Sequence, residues 1–79
     1  MATTPYDIKI APTAAQQMKA LSVKQRKMIV QYIEALSVNP RPPGARKIEG
    51  MMGLYSESIH QFKLIYKVEE QEVLVLVLK

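Results

Sequence analysis

The sequence contains no cysteine, which excludes disulfides, thiolate catalysis and zinc–thiolate sites together. It contains one histidine, His60, and one histidine with scattered glutamates makes no metal ligand set. No cofactor is expected. The longest apolar run, Val73 to Leu78, is far too short to span a bilayer. Met1-Ala2-Thr3-Thr4-Pro5 has neither a basic n-region nor an apolar h-region, so no signal peptide is read. There is no internal repeat and no low-complexity tract. Together these absences describe a soluble, cytoplasmic protein in a reducing compartment, with no membrane partner.

What is present suits one small domain spanning residues 1–79. Hydrophobic residues make up 48% of the chain, enough to exclude disorder throughout. The net charge of +4 is unevenly spread. Residues 1–48 carry eight Lys/Arg against two acidic residues, whereas residues 49–79 carry three against five glutamates. A basic first half suits a polyanion or an acidic partner; a plain soluble surface is the blander reading.

Tyr6, Ile8 and Ile10 alternate with Asp7, Lys9 and Ala11, predicting a half-buried strand. Pro12 suits the first turn of a helix. Ala14, Met18 and Leu21 then fall at i, i+4 and i+7, predicting a helix over residues 13–21. Ser22, with Gln25 three residues on, has the form of a capping box. The helix it opens should run from Val23 to Val38 and bury Ile29, Tyr32, Ile33 and Leu36. Met18 and Met28 read as core filler. Pro40, Pro42 and Pro43 forbid helix beyond this point and demand a stiff extended connector. Ala45 to Glu49 can add a short extended piece, and Gly50 to Gly53 a turn. Strands should follow at residues 54–59, 62–68 and 72–78. The fold class is therefore α+β: an N-terminal strand, a helical hairpin, then a three-stranded antiparallel meander.

With that order in view, Asn39-Pro40-Arg41-Pro42-Pro43-Gly44-Ala45-Arg46-Lys47-Ile48, then Gly50 and Gly53-Leu54-Tyr55, resembles the centre of the RelE/ParE toxin superfamily. The resemblance extends to Tyr6 through Ile10, Pro12 and Ala14, and to Phe62-Lys63-Leu64-Ile65-Tyr66 and the valine-leucine strand. It implies about four strands in one sheet, with the first beside the last. It implies a prokaryotic toxin of a type II toxin–antitoxin system, neutralised by a cognate antitoxin. RelE-like members are mRNA interferases, endoribonucleases that cut mRNA in the ribosomal A site and so inhibit translation. ParE-like members poison gyrase without such chemistry. The implied partners are thus antitoxin, ribosome and mRNA.

Metal-free RNA cleavage needs an activated 2′-hydroxyl, a proton donor and cations for the developing charge. The resemblance puts Lys63 where the family has an arginine, and Ser56 and Ser58 where it has two basic residues. The family continues past the last strand with a glycine, basic residues and a tyrosine. This sequence stops at Lys79, and so resembles a C-terminally truncated member. Weakened or absent nuclease activity is therefore expected. The alternative is a non-catalytic ParE-like or truncated toxin that holds an antitoxin or another protein partner. A binding module unrelated to toxins is a third reading.

Lys63 is the candidate catalytic cation. His60 could act as acid or base, or be a solvated turn residue. Arg41, Arg46, Lys47, Ser56 and Ser58 are candidate RNA- or partner-binding residues. Tyr55 and Tyr66 read as core aromatics. Alternation turns Glu57 inward with Tyr55 and Ile59, where a lone carboxylate is costly. A bulge, a strand end open to water, or a partner's basic side chain would resolve it. The apolar run from Val73 to Leu78 needs cover on both faces, so antitoxin binding or self-association there is expected.

Overall fold

The computed structural model describes residues 5–79; residues 1–4, most of the stretch read as lacking a leader, lie outside it. The elements are β1 (Asp7–Ile10), α1 (Pro12–Lys19), α2 (Val23–Leu36), β2 (Arg46–Lys47), β3 (Leu54–Ile59), β4 (Phe62–Val68) and β5 (Glu72–Leu78). They form an α+β domain with one five-stranded mixed sheet, in the order β1-β5-β4-β3-β2. The first strand does lie beside the last, in parallel register, and β3 to β5 form the antiparallel meander. The fifth strand, β2, is the short extended piece after the prolines, and it pairs with β3.

Local chemistry sets the helices. Pro12 opens α1. The capping box at Ser22 is formed: Ser22 Oγ accepts from the Gln25 amide, and Gln25 Oε1 accepts from the Ser22 amide. The α1 helix ends at Lys19, two residues before the predicted end, and Arg26 reaches back from α2 to the carbonyls around that end. Its guanidinium donates to Met18, Lys19 and Leu21 at 3.1, 3.1 and 3.2 Å, satisfying acceptors that a helix end leaves bare. The α2 helix stops at Leu36 rather than Val38. There the backbone tightens, with Ser37 and Val38 donating to Glu34 and Ala35 and the Ser37 hydroxyl also bonding the Glu34 carbonyl.

Both helices bury their stripes on one face of the sheet. Ala14, Met18, Ile29, Ile33 and Leu36 meet Leu64, Tyr66, Val68, Val73, Val75 and Leu78. Tyr32 is half-buried against them. Ile10 departs from the expected half-buried face and is 40% exposed, since β1 is an edge strand. A bulge between Ile65 and Tyr66 in the β4–β5 register leaves Leu76 without an opposite residue. It lets Val73, Val75 and Leu78 share the core face. Ile65, Leu74 and Val77 occupy the outer face and are half-buried.

Candidate functional site

The connector is pinned to the sheet by aromatic residues. Pro40 is buried, and its carbonyl accepts from Tyr66 Oη at 3.0 Å. Tyr66 stacks on Tyr55, its cross-strand neighbour, with centroids 5.9 Å apart. Arg41 Nε donates to Tyr55 Oη at 2.9 Å, and the guanidinium lies 5.6 Å from the Tyr55 ring centroid. Arg41 is thus committed to holding the connector by a hydrogen bond and a cation–π contact.

Past these anchors the chain enters β2, which is only two residues long: Arg46 opposite Ser56 and Lys47 opposite Tyr55. Beyond Ser56 the edge of β3 has no strand beside it. A cleft of about 380 Å³ opens there, lined by Gly44, Arg46, Ser56, Glu57, Ser58 and Lys63. Ser58 and Lys63 are direct cross-strand partners. Four of the sequence candidates, Arg46, Ser56, Ser58 and Lys63, therefore come together. Lys47 follows Arg46 in an extended strand and so points to the opposite face. Arg41 lies outside the cleft, and His60 lines a separate groove with Met28 and Phe62.

The cleft has two exposed cations, two hydroxyls and one carboxylate. Among the described residues the ion pairs are Lys9–Glu72 at 3.7 Å and Lys67–Glu69 at 3.4 Å. Arg46 and Lys63 are in neither, so both are available to an anion. Glu57 does turn inward from β3. It packs against Gly44, where a Cβ would run into its carboxylate. Glu57 Oε2 and Tyr32 Oη are buried without a hydrogen-bond partner. The two groups feel each other: burial first, and then the Glu57 charge, push the Tyr32 phenol well above the ordinary tyrosine range. The same causes push the Tyr66 phenol up to about 12. Both phenols stay protonated at physiological pH. Sequence reasoning flagged Glu57 as anomalous but did not place it at the site, and it gave Gly44 no part there. Alternation along β3 was the available signal for Glu57, and the connector's backbone supplies the rest.

Chemically, the cleft can hold an anion between a guanidinium and an ammonium, with serine hydroxyls as donors. It contains no imidazole. The Glu57 carboxylate can accept a hydrogen bond.

No family model matches the sequence, and no curated protein matches it. Solved structures do. An archaeal RelE–RelB complex from Pyrococcus horikoshii matches with TM-score 0.85 and 22% identity, covering 95% of this chain and 93% of the other. The RelBE2 toxin–antitoxin complex of Mycobacterium tuberculosis matches with TM-score 0.82 and 19% identity, covering 95% and 96%. The YoeB dimer from Staphylococcus aureus matches with TM-score 0.78 and 22% identity, covering 95% of each chain. The chain has a RelE-like fold.

Proposed function

We propose that this protein is the toxin half of a type II toxin–antitoxin pair, and that it grips RNA through the cleft at the open edge of β3. The observation that carries the reading is the gathering of Arg46, Ser56, Ser58 and Lys63 in one cleft of a RelE-like fold. In this reading Arg46 and Lys63 neutralise a phosphate and the serine hydroxyls orient it. The reaction is metal-free cleavage of ribosome-bound mRNA, with Lys63 stabilising the developing charge. It runs weakly or not at all. Serine hydroxyls supply no positive charge, and one lost oxyanion donor costs roughly 100-fold or more. His60, on the other groove, has no part in it. The antitoxin covers the outer sheet face, where Ile65, Leu74, Leu76 and Val77 are half-buried. The matched archaeal and mycobacterial structures are complexes of toxin with antitoxin, which supports such a partner.

The test is expression with and without the product of the neighbouring reading frame, with mRNA ends mapped and RNA affinity measured against salt. We expect co-purification with that product and little cleavage without it. Arg46→Ala and Lys63→Ala should each lower the salt slope of RNA binding by about one. Strong A-site cleavage, lost in Lys63→Ala, would refute the weak-nuclease reading and make Lys63 catalytic. RNA affinity unchanged in both variants would remove RNA from the cleft.

A further inference from the structure

A second surface lies at the other side of the β3–β4 hairpin. A groove of about 430 Å³ runs between the first turns of α2 and the hairpin tip, lined by Lys24, Gln25, Met28, His60, Gln61 and Phe62. Met28 and Phe62 are half-buried and pack against the core from below. Their upper surfaces are the apolar floor. Methionine there is an adaptable wall, able to reshape around a side chain. Gln25 is fixed by the capping box, so the start of α2 is held in place beside that wall.

His60 is the second observation. It has φ 55°, alone among the described non-glycine residues in having a positive φ. The β3–β4 loop has two residues, since Ile59 pairs with Phe62. The first position of such a loop favours glycine when φ is positive. A histidine there carries backbone strain. Strain of this kind concentrates at ligand clamps and functional sites, and here it holds an imidazole on the rim of an apolar groove.

The third observation is charge. Lys24 is the cation that lines the groove, and no carboxylate does. Arg26, the next cation on α2, is turned away onto the α1 carbonyls. A second copy of the chain could offer its acidic end, where Asp7, Glu69, Glu70 and Glu72 cluster. Residues 69–72 read Glu-Glu-Gln-Glu, however, and present no apolar side chain to Met28 and Phe62. A nucleic-acid backbone would leave the same apolar floor uncovered.

We propose that this groove docks an acidic peptide segment of a partner protein. One large apolar side chain enters between Met28 and Phe62, and flanking carboxylates meet Lys24 and the imidazole edge of His60. The proposal concerns a different surface from the β3 cleft and stands whether or not the toxin reading holds.

The test is a titration of the isotopically labelled full chain, followed by amide NMR, with a short synthetic peptide carrying two leucines flanked by glutamates. Shifts should concentrate at Met28, His60, Gln61 and Phe62. Lys24→Glu, a fully surface-placed change, should weaken binding about tenfold, and Met28→Ala by a similar factor. A peptide with serine in place of leucine should not bind. Equal binding of the serine peptide would reduce the effect to charge alone and overturn the proposal. Shifts centred on Arg46 and Lys63, or none at millimolar peptide, would also overturn it. So would concentration-dependent self-association, seen by sedimentation, that moves the same amides without peptide.

Discussion

Tyr66→Phe removes one oxygen from the centre of the protein and tests how the connector is held. Tyr66 is fully buried, and its hydroxyl donates at 3.0 Å to the carbonyl of Pro40, also buried. The substitution keeps the ring, its stacking on Tyr55 and its volume, so no cavity term enters. What it leaves is an unsatisfied buried carbonyl, worth about 1–2 kcal/mol at neutral pH. The alkaline limb adds a second, sign-reversing prediction. The phenol's pKa is raised from 10.0 to about 12 in the folded protein. A raised folded pKa gives stability that is fully present below the unfolded value and is lost as pH rises through the folded one. By about pH 11 the wild type should have lost roughly 1.4 kcal/mol through this group alone, while the phenylalanine variant loses nothing there. The gap between the two proteins should therefore close as pH climbs from about 8 to 11. Urea unfolding at matched ionic strength measures both proteins, and lysine deprotonation, common to both, cancels in the difference. A gap that stays constant across that range would refute the burial argument. A variant as stable as wild type at neutral pH would refute the hydrogen bond as the connector's anchor.

Gly44→Ala should cost less than about 1 kcal/mol, because its Cβ meets only the Glu57 carboxylate, the far end of a side chain that can turn aside. In the Glu57→Ala background the same change should be nearly neutral, and a thermal-melt double-mutant cycle reads that coupling. His60→Gly should stabilise by about 0.5–1 kcal/mol by relieving the positive φ, and chemical denaturation would show a loss instead if the histidine is unstrained. Arg26→Met should cost about 1–2 kcal/mol by stripping the α1 carbonyls of their donor, with hydrogen exchange quickening first in residues 16–20 if the capping role is right.

Much of the fold was legible because its signals are local. The spacing of Ala14 and Met18, and of Ile29, Ile33 and Leu36, marks two buried stripes, and Ser22 with Gln25 marks the start of the second helix. Signals that depend on distant partners were not legible. Arg26 lies off the buried stripe of its own helix, yet it caps carbonyls at the end of the previous one. The bulge near Leu76 left no trace, because every position from Val73 to Leu78 is valine or leucine and any register buries one. At the site, the family resemblance singled out Ser56, Ser58 and Lys63, and period two adds only that the two serines share a face of their strand. Arg46 joined them only through the β2 pairing. Glu57 was readable as misplaced, but its neighbours Gly44 and Tyr32 come from different elements and no spacing announces them.

The cleft itself follows from backbone chemistry in the proline-rich connector. Continuing the β2–β3 register past Arg46 and Ser56 would set Ala45 opposite Glu57, Gly44 opposite Ser58 and Pro43 opposite Ile59. A ladder needs donors, and Pro43 has none. The Ala45 amide is already spent in a turn, donating to the Pro42 carbonyl at 2.9 Å. So the strand peels away after two residues, and β3 keeps an open edge where Ser58 and Lys63 face solvent. The same departure carries Gly44 over the Glu57 side chain, and the missing Cβ leaves room for the carboxylate where it lies. Restoring the donors should therefore close the site. A Pro42→Val, Pro43→Thr double variant frees two amides and favours an extended strand. We expect β2 to lengthen toward Ser58, with new hydrogen-exchange protection on the β3 edge and loss of RNA affinity, while Tyr66 keeps its bond to Pro40. Protection unchanged at Glu57 and Ser58 would mean that the prolines do not hold the cleft open.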